Sequence, residues 1–186
     1  MITGKNYIGN ELSANGSTLY KTFNPLLNIK NDCSFYEASK DEIDKAVGLA
    51  SAAHKKFSKI TAAKKADFLN AIADEILALD EVLIKTYCSE TALPEGRARG
   101  ERGRTVGQLR SFAELVREGG WVEATIDTAQ PDRQPMPKSD IRKMLIPLGP
   151  VVVFGASNFP LAYSTAGGDT AAAFAAGCPV VVKSHP

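Results

Sequence analysis

The sequence is poor in the two residue types that most often cross-link small proteins or hold metal ions. Its 186 residues include three cysteines and two histidines. Cys33, Cys88 and Cys178 are odd in number and far apart, which is typical of reduced thiols rather than of a disulfide framework. His54 and His185 are also far apart, so no metal-binding spacing is present. The sequence therefore predicts a cytoplasmic protein without a metal site.

An excess of charge and long apolar runs are also missing. The 22 basic and 21 acidic residues give a formal net charge of +1, which creates no field that would attract nucleic acid or an anionic membrane. No uninterrupted apolar stretch reaches the roughly 18 residues of a membrane-spanning helix. The amino-terminal residues show no charged leader followed by an apolar core. We therefore expect neither nucleic acid nor a membrane as a partner, and no secretion.

What the sequence does contain is a series of helical patterns with start signals. Ser39 followed by Glu42 is a capping-box pattern, and the apolar residues after it predict a helix over residues 40–57. Thr61 is placed to cap a second helix and Asp80 a third. The apolar residues predicted to pack on these two helices are Phe68, Leu69, Ile72, Ile76, Leu77, Val82, Leu83 and Tyr87.

A fourth helix has signals at both ends. Pro94 suits a first helical position, and the pair Gly119 and Gly120 favours a helix end. The predicted buried side of this helix consists of Val106, Leu109, Ala113 and Val116. All four helices are expected to be packing elements.

Extended patterns lie on both sides of the helical region. Residues 1–38 mix short β-like runs with turn residues and predict a segment of strands and loops. After Trp121, "WVEATIDTAQ" and "DIRKMLIPLG" alternate β-formers with polar residues around a proline-rich stretch. They predict two extended segments joined by a loop.

The last part of the chain has the pattern of one βαβ unit. Apolar runs at Val151–Phe154 and Val180–Lys183 flank an alanine-rich helix expected from Ser164 to Ala176. Because both runs are nearly continuous valines, they predict parallel strands in a sheet that is covered on both faces. The sequence as a whole predicts an α/β fold.

The loop "GASNFP" follows the first of these strands, and ligands collect at the carboxyl ends of parallel strands. The dinucleotide fingerprint G-x-G-x-x-G is absent, since Ser157 stands at its second glycine position. The serine-hydrolase elbow G-x-S-x-G is matched by Gly155 and Ser157, with Asp169 and His185 following in triad order. Phe159 stands at the last position of this motif, where the elbow requires a small residue.

Asn158 offers a third interpretation of the loop. An amide NH2 is a neutral donor that holds a developing oxyanion without titrating, and removal of such a donor typically costs about 3 to 4 kcal/mol of transition-state stabilisation. The alternative is an asparagine that only caps its local backbone, as asparagines in turns often do. The residue alone leaves both interpretations open.

A resemblance to a known family joins these observations. The stretch "IPLGPVVVFGASNFPLAYSTAGGDTAAAFAAGCPVVVKSHP" resembles the start of the cofactor-binding domain of the aldehyde dehydrogenase superfamily, and "ETALPEGRARGERGRTVGQLRSFAELV" is similar to the helix before that domain. The likeness spans the whole chain, and N-F-P followed by a strand-terminal lysine is a specific pairing. It implies an entry of strands and loops followed by packing helices in residues 1–120, an extended arm like the family's oligomerisation arm in 121–146, and the first βαβ unit, truncated, of a Rossmann-like parallel sheet in 147–186.

The resemblance also implies roles for individual residues. Asn158 would be the side-chain donor of the oxyanion hole. The cofactor, NAD or NADP, would be bound by Phe154, Gly155, Ala156, Ser157, Lys183 and Ser184. An ammonium at the end of a buried strand is in itself a suitable donor to ribose oxygens, although a lysine that only reaches solvent is the alternative for Lys183. The choice between NAD and NADP stays open.

The substrate implied by the resemblance is a small aldehyde. The segments "AYSTAGGDT" and "VKSHP" are most similar to the bacterial branch that oxidises 2,5-dioxovalerate, which is α-ketoglutarate semialdehyde. Phe159 and Tyr163 would line the substrate tunnel, or they are core aromatics. A substrate carboxylate is a partner for arginine, which binds it bidentately. The candidate arginines, otherwise a solvated helix face, are Arg97, Arg99, Arg102, Arg104 and Arg110.

Two catalytic groups of the family have no counterpart in the motifs of this chain. The family's cysteine nucleophile and carboxylate base lie beyond the point that corresponds to Pro186, and Cys178 sits in a helix-to-strand turn where a small buried thiol is expected. We therefore expect a fragment of a longer, homo-oligomeric enzyme that is inactive alone. The alternative is a non-catalytic module, from a truncated reading frame, that binds nucleotide or pairs with other subunits.

Overall fold

The computed structural model of the chain describes residues 2–185 and shows an α/β fold. Its helices are α1 (Lys40–Phe57), α2 (Ala62–Ala78), α3 (Asp80–Thr91), α4 (Glu95–Glu118) and α5 (Gly168–Ala176), with a 3-10 turn at Gly120–Val122. Its antiparallel strand pairs are β1 (Asn6–Ile8) with β2 (Glu11–Ser13), β3 (Leu19–Asn24) with β4 (Ile29–Tyr36), and β5 (Thr125–Asp127) with β6 (Ile141–Lys143). The parallel pair is β7 (Val151–Phe154) with β8 (Val180–Lys183).

The predicted capping box begins α1. The Ser39 hydroxyl accepts from the Glu42 N–H at 3.3 Å, and the Glu42 carboxylate accepts from the Ser39 N–H at 2.8 Å. These reciprocal bonds satisfy two backbone donors that an open helix end leaves free. The predicted bounds of this helix, residues 40–57, are confirmed.

The second and third helices differ in how they start. Thr61 caps α2 as predicted, since its hydroxyl accepts from the Lys64 N–H at 3.3 Å. The prediction that Asp80 caps the third helix is wrong, because Leu79 alone separates α2 from α3 and Asp80 is already helical. With one residue between two helices there is no extended residue to act as a cap. The Asp80 carboxylate lies instead 3.7 Å from a guanidinium nitrogen of Arg102.

The bounds of α4 agree with its predicted signals to within one residue. Pro94 is the residue before the helix rather than its first residue, and Gly119 ends the helix in left-handed backbone with φ of 81°. A residue other than glycine would be strained in that conformation. The four predicted residues of the buried side, Val106, Leu109, Ala113 and Val116, are all buried.

The core forms where α2 and α4 pack against each other and against α5. Small residues dominate the contact and let the helices approach closely, while Leu69 and Leu109 fill the centre and are fully buried. Each buried leucine contributes about 1.5 to 3 kcal/mol relative to an exposed one. The buried members of this cluster are Ala66, Leu69, Ala73, Val106, Leu109, Ala113, Val116, Ala171 and Ala175.

Several residues in the predicted packing stripes of α2 and α3 are only partly covered. Ile72 and Ile76 pack on the core as predicted, whereas Phe68 and Leu77 are exposed. On α3 the prediction is confirmed for Tyr87, but Val82 is exposed by 68%. Ile84 takes the buried position there and packs with Tyr87 and Ala98. The faces of a short helix are set by its partner, α4, which the local pattern does not contain.

The βαβ unit has the predicted strands but a shorter helix. Strands β7 and β8 have the predicted bounds and pair in parallel from Val151↔Val180 to Phe154↔Lys183. Helix α5 starts at Gly168, not at Ser164, because the chain before it is folded into turns. The Tyr163 N–H donates to the Phe159 carbonyl at 3.1 Å, and the Gly168 N–H donates to the Ala162 carbonyl at 3.0 Å.

The prediction that this sheet is covered on both faces is wrong within residues 2–185. Val153 is buried, but its neighbours Val152 and Phe154 are exposed by 53% and 71%. Successive side chains of a strand point to opposite faces, and the face that carries Val152 and Phe154 is left open. A run of valines indicates that a strand is suited to apolar contacts on both faces. Within the described residues, however, the side chains of Val152 and Phe154 stay exposed.

The two predicted extended segments form short paired strands joined by a loop, but Trp121 and Val122, at the start of the first segment, lie in the 3-10 turn instead. Thr125–Asp127 pairs with Ile141–Lys143, and a bridge between Gln130 and Lys138 closes the loop. No helix within residues 2–185 combines the length and the apolar character needed to cross a bilayer.

Candidate functional site

The candidate site lies at the carboxyl ends of the two parallel strands. Phe154 ends β7 and stands opposite Lys183, which ends β8. Beyond this pair the two chains stay together, since the Gly155 N–H donates to the Lys183 carbonyl at 3.0 Å. A Cβ on Gly155 would lie 2.9 Å from the backbone nitrogen of His185, so glycine is required for this close approach.

The predicted cofactor residues are brought together at this edge. Phe154, Gly155, Ala156 and Ser157 come from the β7 side, and Lys183 and Ser184 come from the β8 side. Ser157, Lys183 and Ser184 are exposed, whereas Gly155 and Ala156 are partly buried. The exposed set combines an ammonium group and two hydroxyls, which are suitable donors to a nucleotide. Pro186 lies outside the described residues.

Asn158 is exposed at the tip of the loop that leaves β7. The loop is folded back on itself by the Ala156 N–H, which donates to the Tyr163 carbonyl at 2.9 Å. The backbone carbonyl of Asn158 accepts from a terminal nitrogen of Arg97 at 3.0 Å. The backbone at Asn158 is therefore tied to α4.

The two predicted tunnel aromatics pack on each other and on arginines of α4. The ring centroids of Phe159 and Tyr163 are 5.5 Å apart in an edge-to-face arrangement. The guanidinium of Arg97 lies 4.8 Å from the Phe159 centroid, and that of Arg104 lies 5.8 Å from the Tyr163 centroid. Arg104 also donates to the Tyr163 hydroxyl at 3.1 Å. Both rings are half-buried and pack between α4 and the backbone of the loop after β7.

The other three candidate arginines pair with carboxylates of neighbouring helices. Arg99 contacts Glu81 at 2.8 Å, Arg102 contacts Asp80 at 3.7 Å, and Arg110 contacts Asp74 at 3.0 Å. Exposed pairs of this kind each contribute about 0 to 1 kcal/mol. The five arginines thus fall into two groups, and only Arg97 and Arg104 reach the loop after β7.

Sequence reasoning missed Glu101, which is 4% exposed and lies on α4 beneath this loop. One carboxylate oxygen accepts from the Tyr87 hydroxyl at 2.8 Å and from Arg97 Nε at 2.9 Å. The other accepts from the backbone N–H of Leu161 at 3.1 Å and of Ala162 at 3.5 Å. A signal was present, because Glu101 falls at helical spacing in the stripe of Ala98, Thr105 and Leu109, all of which are buried.

The surroundings of Glu101 favour its charged form. Burial alone would raise the pKa of Glu101, but hydrogen bonds from Arg97, Leu161, Tyr87 and Ala162 outweigh it and hold the pKa below its ordinary value. Burial, together with the bond to this carboxylate, raises the pKa of Tyr87 to about 12. The tyrosine hydroxyl is therefore a donor and the glutamate an acceptor at neutral pH.

Another buried charge lies at the carboxyl end of α5. Lys65 is 9% exposed, its ammonium lies 3.5 Å from the Ala175 carbonyl, and burial lowers its pKa. A cation there is stabilised by the carboxyl end of the helix dipole. The neighbouring Cys178 is 3% exposed, as expected for a small buried thiol.

Two cavities within residues 2–185 lie away from Asn158. One of about 230 Å³ lies between α2, α4, α5 and β8 and is lined mainly by apolar side chains such as Ile72, Leu109 and Phe174. Another, of about 300 Å³, is an open groove around Gly9 and Lys45. In residues 2–185 there is no cluster of three or more His, Cys, Asp or Glu side chains placed to hold a metal ion.

Solved structures with the same fold are aldehyde dehydrogenases. A betaine aldehyde dehydrogenase from Staphylococcus aureus, in complex with NAD+, matches with a TM-score of 0.82 and 22% identity over 97% of this chain and 34% of the other. An NAD-dependent benzaldehyde dehydrogenase from Corynebacterium glutamicum matches with a TM-score of 0.81 and 21% identity over 98% of this chain and 38% of the other. At this level of identity the match establishes the fold.

Curated relatives are closer in sequence. The alpha-ketoglutaric semialdehyde dehydrogenase 2 of Azospirillum brasilense is 51% identical over 99% of this chain and 35% of its own length. The alpha-ketoglutaric semialdehyde dehydrogenase of Acinetobacter baylyi is 48% identical over 98% of this chain and 35% of its own length. The chain therefore spans about a third of the length of these relatives.

The family model gives the most direct result. The model of the aldehyde dehydrogenase family matches residues 12–186 and so includes the helices, the parallel strands and the loop that carries Asn158. The sequence resemblance, the fold and the family match agree. The chain belongs to the aldehyde dehydrogenase family.

Proposed function

We propose that the chain is part of an NAD(P)-dependent enzyme that oxidises α-ketoglutarate semialdehyde to α-ketoglutarate. The observation that carries this proposal is its 51% and 48% identity, over nearly all of its length, to two relatives that bear the name of that activity. Bound NAD or NADP would supply the hydride acceptor. The residues of this chain would bind the cofactor and hold the substrate oxygen.

The edge formed by β7 and β8 fits a nucleotide. Lys183 would donate to the ribose oxygens, with the hydroxyls of Ser157 and Ser184 as further donors along the same edge. Phe154 is exposed by 71% beside Lys183 and would offer an apolar surface to the cofactor. NAD and NADP both fit this donor set.

Asn158 would donate its amide hydrogen to the aldehyde oxygen as that oxygen becomes negative. Its exposed position at the loop tip leaves the amide open to a substrate, while its backbone carbonyl is occupied by Arg97. An amide does not titrate near neutral pH, so the donor is available throughout the working range. Phe159 and Tyr163 would line the approach for the substrate.

Arg104 is the arginine that we propose as the anchor for the substrate carboxylate. Its guanidinium is exposed beside Tyr163, whereas Arg99, Arg102 and Arg110 contact protein carboxylates. A guanidinium binds a carboxylate through two parallel N–H donors. This arrangement would favour a semialdehyde with a distal carboxylate over a neutral aldehyde.

Residues 121–146 would serve as an oligomerisation arm of the whole protein. Both strands of the arm are exposed along their length, and Ile126 and Ile146 are exposed by 66% and 72%. Apolar side chains on a short exposed strand pair favour contact with another chain. A homo-oligomer would cover them.

The test is steady-state kinetics of the whole protein with α-ketoglutarate semialdehyde and both cofactors. Asn158→Ala should lower kcat about 10²- to 10³-fold and leave cofactor affinity nearly unchanged, because the amide acts on the transition state. Lys183→Ala should instead weaken the binding of NAD and NADP in separate titrations. Unchanged kcat in folded Asn158→Ala would remove the oxyanion role, and no turnover of any semialdehyde by the parent would remove the proposed activity.

A further inference from the structure

The contact of interest joins α4 to the backbone of the loop that carries Asn158. Glu101 is separated from Leu161 and Ala162 by 60 and 61 residues of sequence, yet its second carboxylate oxygen accepts from both of their N–H groups. These two residues come directly after the N-F-P segment. A buried N–H without an acceptor costs about 1 to 3 kcal/mol, so the carboxylate fixes where the loop returns to the helix.

Arg97 fixes the same loop at Asn158. It donates through Nε to the first carboxylate oxygen of Glu101 and through a terminal nitrogen to the carbonyl of Asn158. Glu101 in turn holds the guanidinium in the orientation that makes both bonds, since a planar fork bonds in fixed directions. Asn158 therefore carries one of two backbone attachments that both depend on one carboxylate, and the other lies just after it at Leu161 and Ala162.

The acceptor must be a carboxylate rather than an amide of the same size. Four donors meet at Glu101: the Tyr87 hydroxyl, Arg97 Nε and the N–H groups of Leu161 and Ala162. A carboxylate accepts through both oxygens, whereas a glutamine would turn an NH2 group toward one pair of these donors. The charged form is retained at neutral pH because its pKa lies below the ordinary value.

We infer that Glu101 is a positioning residue, which sets the direction of the Asn158 amide by holding the loop backbone at Asn158, through Arg97, and again at Leu161 and Ala162. This inference rests on the proposed oxyanion role of Asn158. Glu101 itself contacts no reacting atom. A small displacement of a donor from its productive geometry is sufficient to lower the rate strongly, so the effect of Glu101 should appear in kcat.

The experiment compares Glu101→Gln with the parent in the whole protein. We expect kcat to fall about 10- to 100-fold, with the Kd of NAD unchanged within about twofold, since Lys183 and the strand ends stay in place. The matched control is Glu42→Gln, which alters another buried, hydrogen-bonded carboxylate at the start of α1. That variant should lose thermal stability and keep its kcat. Equal kcat losses in the two variants would overturn the inference.

A double variant separates positioning from a general structural role. If Glu101 acts through Asn158, then Glu101→Gln combined with Asn158→Ala should lower kcat no further than Asn158→Ala alone. Losses that multiply would overturn the inference. If Asn158→Ala has normal kcat, the proposed oxyanion role fails, whereas a normal kcat in Glu101→Gln alone leaves that role intact and refutes the positioning role.

A second variant covers the case in which Glu101→Gln does not fold. Arg97→Lys keeps a positive charge beside Glu101 but loses the fork that also reaches the Asn158 carbonyl. We expect a reduced kcat that is again not additive with Asn158→Ala, at a melting temperature above that of the assay. A normal kcat in this variant would contradict the attachment of Asn158 to α4.

Discussion

The guanidinium carbon of Arg97 lies 4.8 Å from the centroid of the Phe159 ring. The same side chain bonds to the buried carboxylate of Glu101 and to the backbone carbonyl of Asn158. The loop after β7 is therefore held mainly by α4, whose contacting residues precede it by 60 to 61 positions in the sequence. The position of the candidate oxyanion donor depends on the packing of α4.

Replacement of Phe159 by leucine should destabilise the chain by about 1 to 2 kcal/mol. The substitution removes the cation–π contact with Arg97 and the edge-to-face contact with Tyr163, which are each worth about 0.5 to 1.5 kcal/mol. Urea unfolding measures the change. Phe159→Tyr is the control, since it keeps the ring and should unfold close to the parent. Equal unfolding midpoints for the two variants would show that the ring contacts contribute nothing.

Replacement of Arg104 by methionine should change the preference between substrates rather than the activity toward aldehydes in general. In the whole protein we expect kcat/KM for α-ketoglutarate semialdehyde to fall about tenfold or more, because a charge-assisted bond is worth about 1.5 to 3 kcal/mol. The kcat/KM for a neutral aliphatic aldehyde should stay near the parent value. Because the contact with Tyr163 is lost in both assays, the ratio of the two kcat/KM values reports the contribution of the substrate carboxylate alone.

The control for this substrate test is Arg110→Met on the same helix. Arg110 contacts Asp74 at 3.0 Å and should leave both kcat/KM values unchanged. A uniform loss for all aldehydes in Arg104→Met would point to a structural role for Arg104. An equal loss in Arg110→Met would point to the net charge of the helix.

Leu109 and Leu115 provide a matched pair on α4. Leu109 is fully buried in the core, whereas Leu115 is exposed by 42%. Leu109→Ala should cost about 2 to 5 kcal/mol because it leaves a cavity between α2, α4 and α5. Leu115→Ala should cost about 1 kcal/mol or less. Urea unfolding of both variants checks the difference, and similar costs would contradict the described packing of α4.

Local signals predicted the parts of the fold that local bonds determine. The capping box at Ser39 and Glu42 gave the bounds of α1, and the glycine at position 119 gave the end of α4. The valine runs gave both parallel strands. In each of these cases the residues that carry the signal are themselves the residues that cap, end or form the element.

The errors lie where residues outside the local sequence pattern decide the structure. Asp80 has the chemistry of a cap, but the preceding helix continues up to Leu79. The start of α5 was misplaced because the residues before it bond to each other in turns. Glu101 lies among arginines in the sequence, a pattern that suggests an exposed charge. Its side chain is nevertheless buried and accepts from the N–H groups of Leu161 and Ala162. The Asn158 loop and helix α4 were both found from sequence, but the hydrogen bonds that join them were not.

Glu42 should give the chain a stability that depends on pH. The Ser13 hydroxyl, followed by the N–H groups of Ser39 and Asn15, lowers the pKa of Glu42 to about 2 in the folded chain, against about 4.3 in an unfolded one. The unfolded state therefore binds more protons in this window, so stability is complete above about pH 4.3 and is lost as the pH falls toward about 2. Urea unfolding across this range should show a shallower decline in Glu42→Gln than in the parent. Ser39→Ala, which keeps the backbone donor, should lose about 1 kcal/mol at every pH and retain most of the slope, and an unaltered slope in Glu42→Gln would contradict the role of this carboxylate.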